Sequence, residues 1–214
     1  MNQKIDTLYS DGKVERAIHL LVKAIDDQPR DTENYLQLAT YLVAQNSPEQ
    51  ARELLEKGQR LVDHPEALSY DLAVTEYLCG KMTQALNLLN QIPNDDATMY
   101  QKALVYLKIA QPEKALAFSL SIKHQDEKVL ELQADCWLSL GEMVKAKSLL
   151  AKIPPFKRTT KVWFLLGIIA LPESKAVADT DFEKSFQKNH IQYEQLKLQY
   201  QSLLKIVQKN KKES

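Results

Sequence analysis

The stretch Gly12–Pro29, GKVERAIHLLVKAIDDQP, decides how this chain is read. It opens on a glycine, runs through an amphipathic segment in which Ala17 and Ala24 sit among larger apolar residues, and closes on a proline. Glycine ends a preceding helix and proline cannot continue one, so the stretch is a helix with both boundaries marked. The pattern returns at Asn46–Gly58 (NSPEQARELLEKG), Gly80–Pro93 (GKMTQALNLLNQIP), Ala110–Ile122 (AQPEKALAFSLSI) and Gly141–Pro154 (GEMVKAKSLLAKIP). Recurrence of one helical segment identifies a repeat protein.

Outward from these segments, the first alanines of the copies are Ala17, Ala51, Ala85, Ala115 and Ala146, separated by 34, 34, 30 and 31 residues. A leading helix precedes each. The first is short (about Gln3 to Ser10, with Ile5 and Leu8); the second carries Tyr35, Leu38, Ala39 and Leu42, and the third Leu72, Ala73 and Tyr77. Ala103 and Tyr106 lie in the fourth, Ala134 and Trp137 in the fifth, and Trp163, Leu166 and Gly167 in a sixth that continues past Pro172 through Ala178, Phe182 and Ser185. Apolar residues at i, i+3 and i+4 form one stripe of a helix, and the small alanines let a second helix approach it. Gly12, Asn46, Gly80 and Gly141 stand between the helices, where a left-handed residue is needed, and Ala110 stands in the same place without their tolerance. Copies four and five run short, so their second helices should end about a turn early.

A period near 34 built from two helices, with an aromatic, Leu and a small residue on the first and Ala, a large residue, Ala and Pro on the second, resembles the tetratricopeptide repeat family. The resemblance covers nearly the whole chain. It implies an all-α, right-handed superhelical solenoid of about six repeats, near 1–31, 32–65, 66–95, 96–126, 127–158 and 159–189, followed by a capping helix and basic tail over 190–214. The last helix should run from His190 to Lys209 with Leu196, Tyr200, Leu203, Leu204 and Val207 on one face. A second apolar edge, Ile191, Tyr193 and Leu198, could meet another subunit or fold into the array's own groove.

Composition narrows the function classes. With 214 residues and 44% hydrophobic content a continuous core can form. Residues 1 to 135 hold 14 Lys+Arg against 21 Asp+Glu, and residues 136 to 214 hold 14 against 7. The opposite signs would orient a charged partner or permit head-to-tail self-association, so a homo-oligomer stays open. The N-terminus shows no apolar signal segment, and the longest apolar run, Val162 to Leu171, is about half a membrane-spanning helix. Cys79 and Cys136, far apart in apolar helical patterns, read as buried thiols of a reducing, cytoplasmic compartment.

Little remains for catalysis. The five glycines serve as helix stops or packing positions, leaving none for a phosphate loop. His19, His64, His124 and His190 are scattered, and no metal or cofactor is expected. The basic stretch Lys145–Lys161 holds one aromatic residue, Phe156, and reads as a solvated helix face, which argues against nucleic acid. The sequence therefore points to a non-enzymatic scaffold for a protein or peptide partner, with no membrane role.

The binding residues are expected on the other stripe of the leading helices. Leu36, Thr40 and Val43 lie at i, i+4 and i+7, with Tyr70, Val74 and Tyr77, then Tyr100, Leu104 and Leu107, at the matching places. Glu131 and Asp135 follow in copy five and Phe164 and Ile168 in copy six. In the family this face lines a concave groove; here it would be apolar and tyrosine-rich, with the two acids meeting a basic group of the ligand. The Lys, Asn and Arg with which related domains clamp a terminal carboxylate are missing from these positions, so a chaperone-tail ligand does not fit.

Overall fold

The computed structural model describes residues 3–210, with side chains through Lys205. Fourteen α-helices and two short 3-10 turns make up the described residues, and no strand occurs among them. The chain divides into two compact units between Ile109 and Ala110.

The N-terminal unit holds α1 (Gln3–Ser10), α2 (Val14–Asp27), α3 (Thr32–Ala44), α4 (Pro48–Gln59), α5 (Ser69–Leu78), α6 (Met82–Leu89) and α7 (Asp96–Lys108). Each helix packs on the next, and α3, α5 and α7 also pack side by side. This arrangement follows from where the small residues sit. Ala17, Ala51, Ala73 and Ala85 are fully buried, and the large residues Leu21, Tyr35, Leu55 and Leu89 fill the space between them. Tyr35 donates a hydrogen bond from its hydroxyl to the Pro29 carbonyl at 3.0 Å, tying a leading helix to the end of the preceding repeat. Gly58 faces that ring: a Cβ there would stand 2.7 Å from Tyr35 Cδ1, so only glycine fits.

The C-terminal unit holds α8 (Pro112–Ser121), α9 (Glu127–Ser139), α10 (Met143–Ala151), α11 (Thr160–Ala170), α12 (Lys175–Lys188), α13 (His190–Gln199) and α14 (Gln201–Asn210). Again each helix packs on the next, and α13 lies beside α11 as α5 lies beside α3. Ala134, Ala146, Leu150, Ile153 and Leu165 form the buried centre.

Helix ends follow two rules. Asp31, Asp95, Asp126 and Thr159 cap α3, α7, α9 and α11 by accepting backbone N–H bonds from the first turn. The second helices α2, α4, α6, α8 and α10 have no such side-chain bond and instead follow a left-handed residue. Gly12, Gly80 and Gly141 have φ of 80°, 78° and 79°, and Asn46 and Ala110 have φ of 57° and 56°. Ala110 thus holds the conformation expected of it at a steric cost of about 1–2 kcal/mol. Ala110→Gly should raise stability by about 0.5–1 kcal/mol after the added chain entropy of glycine, read as a higher melting temperature.

Two expectations need adjusting. The second helices of copies four and five are short, at 10 and 9 residues, but α6 in copy three is shorter still at 8, its linker taking up the remaining length. The last helix is not continuous: it breaks at Tyr200, whose backbone (φ −99°, ψ 15°) leaves the helical region between α13 and α14. Val207 and the basic residues Lys209, Lys211 and Lys212 lie outside the described side chains.

Candidate protein-binding surface

On α3, α5 and α7 the two stripes of each leading helix separate as their spacing requires. The inward stripe is closed at Tyr35, Leu38, Ala39, Leu72, Ala73 and Ala103, while Leu42 and Tyr106 towards the helix ends are half-buried. The outward row is apolar yet partly open. Leu36, Val43, Tyr70, Val74, Tyr77, Tyr100, Leu104 and Leu107 are half-buried, and Thr40 is exposed, its hydroxyl bonded back to the Leu36 carbonyl at 2.9 Å. Tyr70 and Tyr77 rest against the cluster of Ala73, Ala85, Leu89 and Val105, which holds their rings while leaving part of each uncovered. Burial raises the Tyr70 hydroxyl pKa, and the negative charges of Asp71 and Asp95 add to that, so Tyr70 presents a neutral O–H donor. A surface of this kind offers apolar area and a few hydroxyl handles.

In the C-terminal unit the same register is occupied from within the unit. Phe164 and Ile168 are fully buried. The Phe164 ring meets Phe182 at 5.4 Å, Tyr193 at 5.6 Å and Tyr200 at 5.9 Å between centroids. Asp135, also buried, accepts a hydrogen bond from the Tyr200 hydroxyl at 2.6 Å and pairs with the Lys161 ammonium at 2.6 Å. Glu131 accepts a bond from Thr159 at 2.7 Å. The Tyr200 pKa is driven upward by burial and then by the Asp135 carboxylate, and burial pushes the neighbouring Cys136 thiol up to about 12.

Nothing in the sequence announced the Tyr200–Asp135 bond, because the two residues are 65 positions apart and neither belongs to a motif. The N-terminal unit holds a second unannounced group. Tyr9 and Tyr41 stack at 3.8 Å, and the Tyr41 hydroxyl donates to Asp6 at 3.0 Å while accepting from Gln37.

Several residues of the basic stretch are paired within its own unit. Lys147 pairs with Glu173 at 2.7 Å, Lys157 with Glu127 at 2.5 Å and Lys161 with Asp135, while Lys145 and Arg158 lie over Trp137 and Trp163. Among the described residues no cluster of His, Cys, Asp or Glu could hold a metal ion, and no helix is long and apolar enough to cross a membrane. Both cysteines are free, Cys136 buried and Cys79 partly so.

Stacked helix pairs with a continuous row of leading-helix residues define an all-α repeat protein, a class whose extended surfaces bind other proteins. The tetratricopeptide repeat family model matches residues 8–67, and the fold is that of solved tetratricopeptide repeat structures. Among solved structures it is similar to the APC/C hetero-tetramer Cut9–Hcn1 (TM-score 0.74, 13% identity, covering 94% of this chain and 40% of that one). It is also similar to PilF of Pseudomonas aeruginosa (TM-score 0.68, 17% identity, 92% and 95% of the two chains). A tetratricopeptide repeat protein of Parabacteroides merdae gives a TM-score of 0.62 at 17% identity, with 96% of each chain covered. This chain spans well under half of the Cut9–Hcn1 chain it matches. No curated protein matches the sequence.

Proposed function

We propose that the protein is a non-enzymatic scaffold whose N-terminal unit receives a helix or an extended apolar peptide of a partner protein. It would do so along Leu36, Thr40, Val43, Tyr70, Val74, Tyr77, Tyr100, Leu104 and Leu107. The observation that carries this reading is the contrast in burial between two stripes of the same helices: the inward one is closed at Tyr35, Leu38, Leu72, Ala73 and Ala103, and the outward one is apolar and half-open on three neighbouring helices. A row that only packed the array would be closed on both sides, as it is at Phe164 and Ile168. Tyrosine favours the reading because it supplies contact area with few rotatable bonds and a hydroxyl to orient the ligand. Rigid presentation leaves the ordering of the ligand as the main entropic cost.

Glu131, Asp135, Phe164 and Ile168 belong to the same register and would extend the surface in the C-terminal unit if their present cover were withdrawn. Against a nucleic-acid role stand the single aromatic residue of the Lys145–Lys161 stretch, Phe156, and the ion pairs of Lys147, Lys157 and Lys161 with acids of their own unit, which phosphates would have to displace.

The test is affinity capture with the wild-type chain and with a Tyr70→Ala, Tyr100→Ala variant. Each tyrosine at the centre of an interface contributes about 1–2 kcal/mol, so the double variant should retain the partner at least about tenfold less. Its far-UV circular dichroism should be unchanged. Equal capture by the two proteins would exclude the row as the binding surface.

A further inference from the structure

We propose that the cleft between α12 and α13 is a second binding site, built to take the guanidinium of an arginine side chain from a partner protein. It lies within the C-terminal unit and is independent of the row on α3, α5 and α7.

Three observations carry the proposal. First, the cleft, of about 380 Å³, is walled by aromatic rings set steeply to one another: Phe182 and Phe186 on α12 and Tyr193 on α13. The Tyr193 ring stands at 90° to Phe186 with 5.6 Å between centroids, and at 71° to Phe182 with 6.4 Å. Phe182 and Tyr193 also pack on Phe164, which is fully buried, so their rings are fixed before any ligand arrives. Rings arranged in this way turn both edges and faces to the space they share, and a π face attracts a cation. The Tyr193 ring already carries one, the Lys197 ammonium at 5.5 Å from its centroid.

Second, the rest of the lining is acidic. Asp179 and Glu183 on α12 and Glu194 on α13 complete the cleft. Residues 179, 182, 183 and 186 fall at i, i+3, i+4 and i+7, so one face of α12 carries both acids and both rings. Residues 136 to 214 hold 14 Lys+Arg against 7 Asp+Glu, and three of those seven acids line this one cleft. Glu194 pairs with Lys197 at 3.0 Å, and Glu183 accepts a hydrogen bond from Gln187 at 2.7 Å. Among the described residues no cation is paired with Asp179 or Glu183. All three acids are felt at Tyr193: burial raises its hydroxyl pKa, Lys197 pulls it down, and Glu194, Glu183 and Asp179 raise it again.

Third, the shape and charge select the class of ligand. Phe186 is 44% exposed and the three acids are exposed, so the cleft suits one side chain of a larger partner and does not enclose a free small molecule. An apolar side chain would strip water from the carboxylates without replacing it. A guanidinium is flat enough to lie on a ring while its fork of N–H donors meets carboxylates at its edge, whereas an ammonium is a point charge and cannot do both.

Titration of the isotope-labelled full-length chain with N-acetyl-arginine amide, followed by amide NMR at constant ionic strength, tests this. Resonances between Asp179 and Glu194 should shift and saturate, with a Kd in the millimolar range for so small a probe. N-acetyl-citrulline amide, the uncharged isostere, should give no saturable shift, and N-acetyl-lysine amide should bind at least about threefold more weakly. Phe186→Leu keeps the apolar bulk and loses the ring, and should weaken arginine binding about threefold. Asp179→Asn combined with Glu183→Gln should weaken it at least about tenfold. These positions are exposed, so far-UV circular dichroism should stay as in wild type. A response that stays linear in probe, shifts scattered beyond α12 and α13, or equal affinity for the arginine and citrulline probes would overturn the proposal. Equal affinity for the lysine probe would leave a general acidic surface and overturn it too, as would unchanged affinity in either variant. The Tyr70→Ala, Tyr100→Ala variant should bind the probe as wild type does, which keeps this test separate from that of the N-terminal row.

Discussion

Replacing Phe164 with alanine is expected to cost the C-terminal unit about 3–5 kcal/mol, the range for a large aromatic removed from a closed site. The ring has no exposed surface and is enclosed by Phe182, Tyr193 and Tyr200, so its loss leaves a cavity that these three rings, fixed by α12 and α13, fill incompletely. Both tryptophans, Trp137 and Trp163, lie in this unit, so indole fluorescence during urea unfolding reports on it alone. Phe156→Ala is the matched control: its ring is 81% exposed, and the change should stay within about 0.5 kcal/mol. A cost for Phe164 as small as that of Phe156 would mean that Phe182, Tyr193 and Tyr200 do not enclose the ring.

The second large effect is alkaline. Cys136 is buried on α9, and its thiol is pushed up to about 12 from an ordinary 9.0, first by loss of water and then by the Asp135 charge. In the unfolded chain the thiol ionises near its ordinary value; in the folded chain it keeps its proton. A raised pKa of this kind supplies stability that is fully present below pH 9 and is lost as pH rises from 9 towards 12. Between pH 8 and pH 11 the loss due to Cys136 is about 2–3 kcal/mol. Tyr200 acts in the same direction above pH 10, for the same cause and with Asp135 again the nearest charge. The stability difference between wild type and Cys136→Ala should therefore shift by about 2–3 kcal/mol in favour of the variant over this interval. A difference that stays constant with pH would show that the folded thiol ionises as freely as the unfolded one.

Much of the fold was legible because it is local. Left-handed Gly12, Asn46, Gly80, Ala110 and Gly141 each stand where a helix must end and another begin, and this is a property of five-residue neighbourhoods that recur. Ala17, Ala51, Ala85, Ala115 and Ala146 are all fully buried because a helix pair needs a small residue at its closest approach wherever the pair occurs. The tight glycines were legible for the same reason: Gly58 and Gly167 lack room for a Cβ beside Tyr35 and Phe182. The N-terminal row was equally readable, since i, i+4 and i+7 on a helix fix which side chains share a face.

Copy six shows where that reading stops. Periodicity places Phe164 and Ile168 in the register of Tyr70 and Val74, but it says nothing of what packs on them, and the Phe164 ring meets Phe182 of its own repeat's second helix as well as Tyr193 and Tyr200. In one unit the row is half-open; in the other Asp135, Phe164 and Ile168 are buried, Phe164 by the rings of Phe182, Tyr193 and Tyr200 and Asp135 by a hydrogen bond from a residue 65 positions away. The helices and the left-handed turns between them follow from residues within a turn or two of one another, whereas the break at Tyr200 and the early end of α6 do not. The choice that leaves Leu36, Tyr70 and Tyr100 partly uncovered while Tyr193 and Tyr200 lie on Phe164 and Asp135 belongs to the tertiary fold. That choice depends on the direction the chain takes after α12 and on contacts between distant residues that no local pattern encodes.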